Sequence, residues 1–221
     1  MRKAIKVAGM TLIGLALIAT AAIGAWVYVV NNVEEPDYEL VRSEGDIEVR
    51  DYPELVVAEV TKSGGRREAV SAGFSPLAGY IFAKDRDGGS IPMTAPVTQT
   101  REKIAMTAPV TQTKTDGANG TDTWTIRFIM PAQYTLETLP RPAGSDVTLT
   151  TMPATRRAAI RFSGWATDAT IADQEAKLRG WMMQNDLAPV GLPTMAYYND
   201  PWTPGPLRRN EVLFDVAQSA N

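Results

Sequence analysis

The 221-residue sequence contains neither cysteine nor histidine. Without thiols no disulfide can staple the fold, so its stability has to come from a packed core. Without either residue type there is no Ser-His-Asp triad, no thiol nucleophile and no usual zinc site. GxSxG, P-loop and GxGxxG signatures are missing as well. Carboxylate pairs remain available, yet no spacing singles one out, and such charges ordinarily belong to solvated surface. Positive charge is also short: 22 Lys and Arg stand against 25 Asp and Glu. Setting aside Arg2, Lys3 and Lys6 at the N-terminus, 19 basic residues face those 25, a surplus of six negative charges. That balance opposes attachment to phosphates, so nucleic acid is not an expected partner.

What the chain does have is one long charge-free run. Val7 to Val30 carries no charged side chain, and 24 such residues at ~1.5 Å rise extend ~36 Å against a ~30 Å hydrocarbon core. Basic residues precede the run and Glu34, Glu35 and Asp37 follow it. The positive-inside rule therefore keeps the N-terminus in the cytoplasm and sends the rest across, into the periplasm if the cell is Gram-negative. A cleaved signal peptide is the alternative, since Ala19-Thr20-Ala21 is a small-x-small site. Against it, Ile23 and Trp26 to Val30 continue the apolar run past that site, with Trp26 and Tyr28 placed as interfacial aromatics. The reading is residues 1–30 as anchor or signal peptide, 31–37 as a polar linker, 38–217 as one domain and 218–221 as a tail.

Within the domain, Tyr38–Arg42 and Asp46–Asp51 alternate around Glu44-Gly45 as a hairpin would. Leu55 to Thr61 is a β-branched strand closed by Ser63-Gly64-Gly65. Val70, Phe74, Leu77 and Ile81 then recur at spacings of four, three and four, one buried helical face over residues 66–84, with Pro76 expected to break the helix near Gly73. Asp85 to Gly89 starts like a calcium loop but lacks the later acidic ligands and reads as a turn. Lys114 to Asp122 reads as an exposed loop. Strands follow at Thr123–Met130, Val147–Met152 and Ala158–Phe162. A second helix starts with Thr170 as N-cap, has Ile171, Leu178 and Met182 as its stripe, and is stopped by Asn185 and Pro189. Met195–Tyr198 and Glu211–Val216 close the chain as strands. Strands, helix and strands occur twice, so the expected fold is α+β: a distorted antiparallel β-barrel of two similar halves with two packed helices, preceded by a transmembrane helix.

Between the halves lies a local duplication. IPMTAPVTQT at 91–100 and IAMTAPVTQT at 104–113 match at nine of ten positions. Met93, Ala95 and Val97 share one face of an extended chain, and Met106, Ala108 and Val110 repeat it. Pro96 and Pro109 place these segments at a sheet edge, a bulge or a strand entrance. Two readings stand: a slipped duplication whose methionines fill the core, or a Met-lined edge bordering a hollow for a flat apolar ligand.

IEVRDYPELVVAEV from Ile47 to Val60, LAGYIF from Leu77, the IAMTAPVTQT element, FIMPAQYTLETLP from Phe128 and PLRRNEV from Pro206 together resemble the SOUL haem-binding protein family, in order and over nearly all of the chain after the anchor. The resemblance implies a fold like the effector-binding domains related to bacterial gyrase-inhibitory proteins, and binding of haem or another tetrapyrrole in an apolar cleft. Some members are thought to use an axial histidine, and this chain has none; Met, Tyr or Lys, or ring packing with Arg or Lys on the propionates, are what it can offer. If the repeat edges the cleft, Phe74, Leu77 and Ile81 line it, Tyr80 and Lys84 stand at its margin, and Met93 and Met106 face them; no metal ligands are assigned. The expectation is a non-catalytic, membrane-anchored extracytoplasmic protein that binds haem, a porphyrin or another flat hydrophobic molecule. The alternative is an envelope structural or interaction protein with no haem function.

Overall fold

The structure is a computed structural model that describes residues 34–84, 89–91, 97–102 (backbone), 123–144, 146–199 and 202–217. Gly45 supplies the positive φ, +59°, that turns β1 (Glu39–Glu44) into β2 (Ile47–Tyr52). After the Pro53 corner come β3 (Leu55–Ser63), α1 (Arg66–Ile81), β4 (Val97–Glu102) and β5 (Thr123–Ile129). The second half repeats the order: β6 (Thr148–Met152), a Pro153 corner, β7 (Thr155–Phe162), α2 (Asp168–Gln184), β8 (Pro189–Tyr197) and β9 (Asn210–Val216). A single 3-10 turn, Gly205–Leu207, precedes β9.

All neighbouring strands pair antiparallel, in the order β1-β2-β7-β9-β8-β4-β5-β3-β6. The order is a near-palindrome: β7-β9-β8 in one half mirrors β3-β5-β4 in the other, joined where β4 pairs with β8. Each half also lends a strand. β2 leaves the first half to pair with β7, and β6 leaves the second to pair with β3. The two similar halves are thus present, but the expected barrel does not close. β1 and β6 are the edges of the described nine-stranded ladder.

Both helices pack on one face of this sheet. The core there combines Ala58, Val60, Trp124, Ile126 and Phe128 from the first half with Ala158, Ile160, Met195, Val212 and Phe214 from the second. Ile171, Leu178 and Met182 are the buried stripe of α2, as the periodicity predicts. Its N-cap is Thr167 rather than Thr170: Thr167 has the extended backbone of a cap and its hydroxyl accepts the Thr170 N–H at 3.1 Å.

The break expected near Gly73 does not occur; α1 runs unbroken with Pro76 inside it. Proline costs a helix interior about 3 kcal/mol, whereas full burial of Leu77, Tyr80 and Ile81 contributes ~1.5–3 kcal/mol each. Tertiary packing wins. Gly73 is needed here for closeness, since a Cβ would lie 2.8 Å from Ile126 Cδ1.

In the repeat, β4 starts directly after Pro96 and lies between β5 and β8. The strand is thus not a sheet edge, and Pro96 itself lies outside the described residues. The second copy, with Met106, and the turn and loop expected at 85–88 and 114–122 lie outside the described residues. So does the apolar run 7–30; among the described residues no helix is long and apolar enough to cross a membrane.

A basic groove beside a buried ion pair

The sheet face turned away from the helices is polar in the second half. Period-two alternation puts Glu48, Arg50 and Tyr52 of β2 on it, and register carries Arg157, Ala159 and Arg161 of β7, then Asp215, Leu213 and Glu211 of β9, across the same face. Arg50 and Glu211 are both 1% exposed. Arg50 Nη1 and Nη2 donate to Glu211 at 2.7 and 3.0 Å, Nη1 also to the Tyr52 hydroxyl at 3.1 Å, and Nε to Glu48 at 2.7 Å. This is a bidentate, charge-assisted pair.

Glu211 is further held by the Tyr198 hydroxyl at 2.7 Å and by Arg209 Nε and Nη2 at 3.1 and 2.9 Å. Burial alone would raise its carboxyl pKa, but the hydrogen bonds and charge of Arg50, with Arg209 and Tyr198, hold it below the ordinary value. Burial, then the charge of Glu211, pushes the Tyr198 phenol well above its ordinary value, so the hydroxyl stays a donor. Aromatic rings cover the guanidiniums: Tyr38 lies 4.7 Å from Arg50, and Arg209 stacks 3.8 Å from the Tyr198 ring. Of the segment 31–37 expected as linker, Glu34 and Glu35 bond to the domain. Both Glu35 carboxylate oxygens accept from Arg209 Nη1 at 3.0 Å, and Glu34 accepts the Ala132 N–H at 2.8 Å.

Where β7 ends, this network borders an open groove of about 520 Å³ lined by Asp46, Ile160, Arg161, Phe162, Ser163, Gln174, Lys177, Arg208 and Arg209. That volume is within the range of small-molecule sites. β7 contributes half-buried Phe162 and the edge of Ile160, which is 5% exposed and otherwise part of the core. Arg161 comes from the opposite face, Lys177 from α2 and Arg208 and Arg209 from the loop before β9. Arg208 is braced by Nε donating to the Thr203 carbonyl at 2.8 Å and by stacking 4.1 Å from the Trp165 ring. Of these four cations Arg209 is paired with Glu35 and Glu211 and Arg161 lies 3.6 Å from Glu211, while Lys177 and Arg208 stand beside them at the groove. None of the nine lining residues is His, Cys, Met or Tyr, and no group of three or more carboxylates suited to a metal occurs among the described residues. The groove therefore combines cations with apolar side chains and brings no usual axial ligand to an iron.

The residues expected to form the site are placed differently from the groove. Leu77, Tyr80 and Ile81 are buried in the core, with the Tyr80 hydroxyl donating to the Pro140 carbonyl at 2.8 Å. Phe74 is half-buried, edge-on to Phe128 at 5.2 Å between centroids. Lys84 is exposed beyond the helix end. Met93 and Met106 lie outside the described residues. α1 thus brings Phe74, Leu77, Tyr80 and Ile81 together, and none of them lines the groove. The groove's cations escape the sequence reading; the signal for two of them was the adjacent Arg208-Arg209 pair in an otherwise acidic chain.

Comparison with solved structures places the architecture. The C-terminal domain of EcmrR shares 12% identity over 82% of this chain and 99% of that one, with a TM-score of 0.54. A hydrolase from Listeria innocua shares 13% over 80% and 94%, with a TM-score of 0.52. An uncharacterized conserved protein from the same organism shares 12% over 84% and 93%, also at 0.52. At such identities the likeness is one of fold. No curated protein matches the sequence. The family match is of another kind: the pattern of the SOUL heme-binding proteins runs through residues 33–215, most of the chain, and supports haem or a porphyrin as ligand. By that match the chain belongs to the SOUL heme-binding protein family.

Proposed function

We propose that the protein binds haem or another carboxylated tetrapyrrole in the groove at the end of β7, without catalysing a reaction on it. The observation that carries this reading is the groove that sets Phe162 and the edge of Ile160 among Arg161, Lys177, Arg208 and Arg209. The cations hold the propionates and the apolar side chains take the ring edge. When bound, haem supplies its own iron chemistry; this chain's residues bind and orient the macrocycle.

Full-length protein in detergent is titrated with hemin and protoporphyrin while Soret absorbance and tryptophan quenching are followed. Saturation at micromolar ligand is expected, with little difference between the two, because no histidine or cysteine is available to the iron. Arg161→Glu with Lys177→Glu weakens binding by tenfold or more, in line with about 1.5–3 kcal/mol for hydrogen bonds to charged groups. Met93→Ala with Met106→Ala is the comparison. Loss of binding in the methionine pair but not in the charge pair would move the ligand to the repeat and the α1 face. No saturable change with either ligand would favour an envelope structural role.

The same reading makes Val7–Val30 an uncleaved anchor with the domain outside the cytoplasm, supported by the length of the charge-free run and the basic residues before it. Two charged substitutions within Leu12–Ile18 block export, each costing about 2.5–3.5 kcal/mol at mid-helix. A mature N-terminus at Ala22 by sequencing would overturn the anchor.

A further inference from the structure

We infer that the loop carrying Trp202 and Leu207, with Trp165 beneath it, is a docking face for an anionic phospholipid surface. These three side chains are 87%, 65% and 62% exposed, and together they hold both large exposed tryptophans of the described residues. The turn that carries Leu207 packs on Trp165. Gly205 sits so close on Trp165 that a Cβ would meet its Nε1 at 2.9 Å, and the Gly164 N–H donates to the Gly205 carbonyl at 3.0 Å. Leu207 is fixed within the same turn by its N–H donating to the Pro204 carbonyl at 2.9 Å. An exposed apolar cluster on a braced loop marks a contact site rather than a floppy tip. Its aromatics are tryptophans, the side chain favoured at the membrane–water interface, where an apolar ring and a polar N–H are both satisfied.

Charge decides which surface it suits. Arg208 stacks on Trp165, and Arg161, Lys177 and Arg209 line the adjoining groove. The acidic groups facing them are Asp46, on the groove rim, Glu35, paired with Arg209 at 3.0 Å, and Glu211, held by Arg50 and Arg209 and 3.6 Å from Arg161; Lys177 is paired with none of these three. Cations are therefore concentrated beside the tryptophans in a chain whose overall charge is negative, the pattern that anionic headgroups attract. The inference stands on the exposed side chains and their charge, and tetrapyrrole binding is not required.

The test uses full-length protein with Trp26→Phe, reconstituted into phosphatidylcholine vesicles with or without phosphatidylglycerol, and quenching of tryptophan emission by brominated lipid. Quenching is expected to rise several-fold when phosphatidylglycerol is present. Trp202→Ser with Leu207→Ser removes that rise, and Lys177→Glu reduces it, with far-UV circular dichroism and melting temperature unchanged because these side chains are exposed. Equal quenching in the parent and the Trp202→Ser, Leu207→Ser variant would overturn the docking face and leave it to a protein partner. Extraction of the same protein from vesicles at alkaline pH reads the anchor separately, so the two ideas fail in different assays.

Discussion

At the residue scale the decisive group is Arg50. A guanidinium and a carboxylate removed from water lose hydration worth several kcal/mol each, and the bidentate geometry with Glu211, reinforced by Tyr52, Tyr198 and Arg209, is what makes their burial tolerable. Removing one partner leaves the other charged and buried. Glu211→Gln is therefore expected to lower stability by about 3–5 kcal/mol in urea denaturation, while Arg50→Met with Glu211→Leu recovers much of that loss. The pH dependence has a definite sign. The Glu211 pKa is held below its ordinary 4.5 in the fold, so its contribution is present above that value and is lost as pH falls through the folded pKa. Stability should thus decline on the acid side below about pH 4.5 and decline less steeply in Glu211→Gln. An identical acid limb in the variant would show that other carboxylates, such as Asp51 on Arg156, govern acid unfolding. Nothing in the sequence pairs residues 50 and 211: they are 161 positions apart, and only the passage of β2 into the other half brings them together.

At the element scale both helices end in the same way and without glycine. After α1 the Lys84 N–H donates to the Gly79 carbonyl at 3.0 Å and the Ala83 N–H to Tyr80 at 3.3 Å, with Ala83 at φ +53°. After α2 the Leu187 N–H donates to Met182 at 3.0 Å, with Asp186 at φ +55°. These are Schellman ends whose left-handed position normally holds glycine. A β-carbon there costs roughly 1–2 kcal/mol, so Ala83→Gly is expected to stabilise the protein by about 1 kcal/mol, read as a higher urea midpoint at unchanged slope. No gain would mean the strain is relieved elsewhere. Elements were largely legible from periodicity: the α2 stripe and most strands fall where apolar spacing puts them. The expected helix break is where local pattern misleads. Pro76 looks like a break because local propensity says so, and only the packing of Leu77 and Ile81 on the sheet outweighs it. The same α1 face reads equally well as the wall of a hollow, since a 3.6-residue apolar period records burial and says nothing of what buries it.

At the scale of the whole molecule, the exchanged strands make the halves one cooperative unit. Were each half to keep its own strands, β2 would border β3 and β6 would border β7. Instead β2 completes the second half and β6 the first, and residues 34–221 form one compact unit. A second tie lies at the helix starts, where Arg66 of α1 donates to Asp168 at 2.6 Å, to the Tyr197 hydroxyl at 2.8 Å and to the Ala166 carbonyl at 3.0 Å, all in the other half. Unfolding one half therefore exposes an unpaired strand edge and strips core from the other. The core reporters are already in place: Trp124 lies on β5 in the first half and Trp181 on α2 in the second. Variants retaining only one of these two tryptophans within the domain should show coincident urea transitions, matching that from circular dichroism, as expected for two-state unfolding. Separated midpoints for Trp124 and Trp181 would mean that the exchange of β2 and β6 holds two independent halves side by side without coupling them.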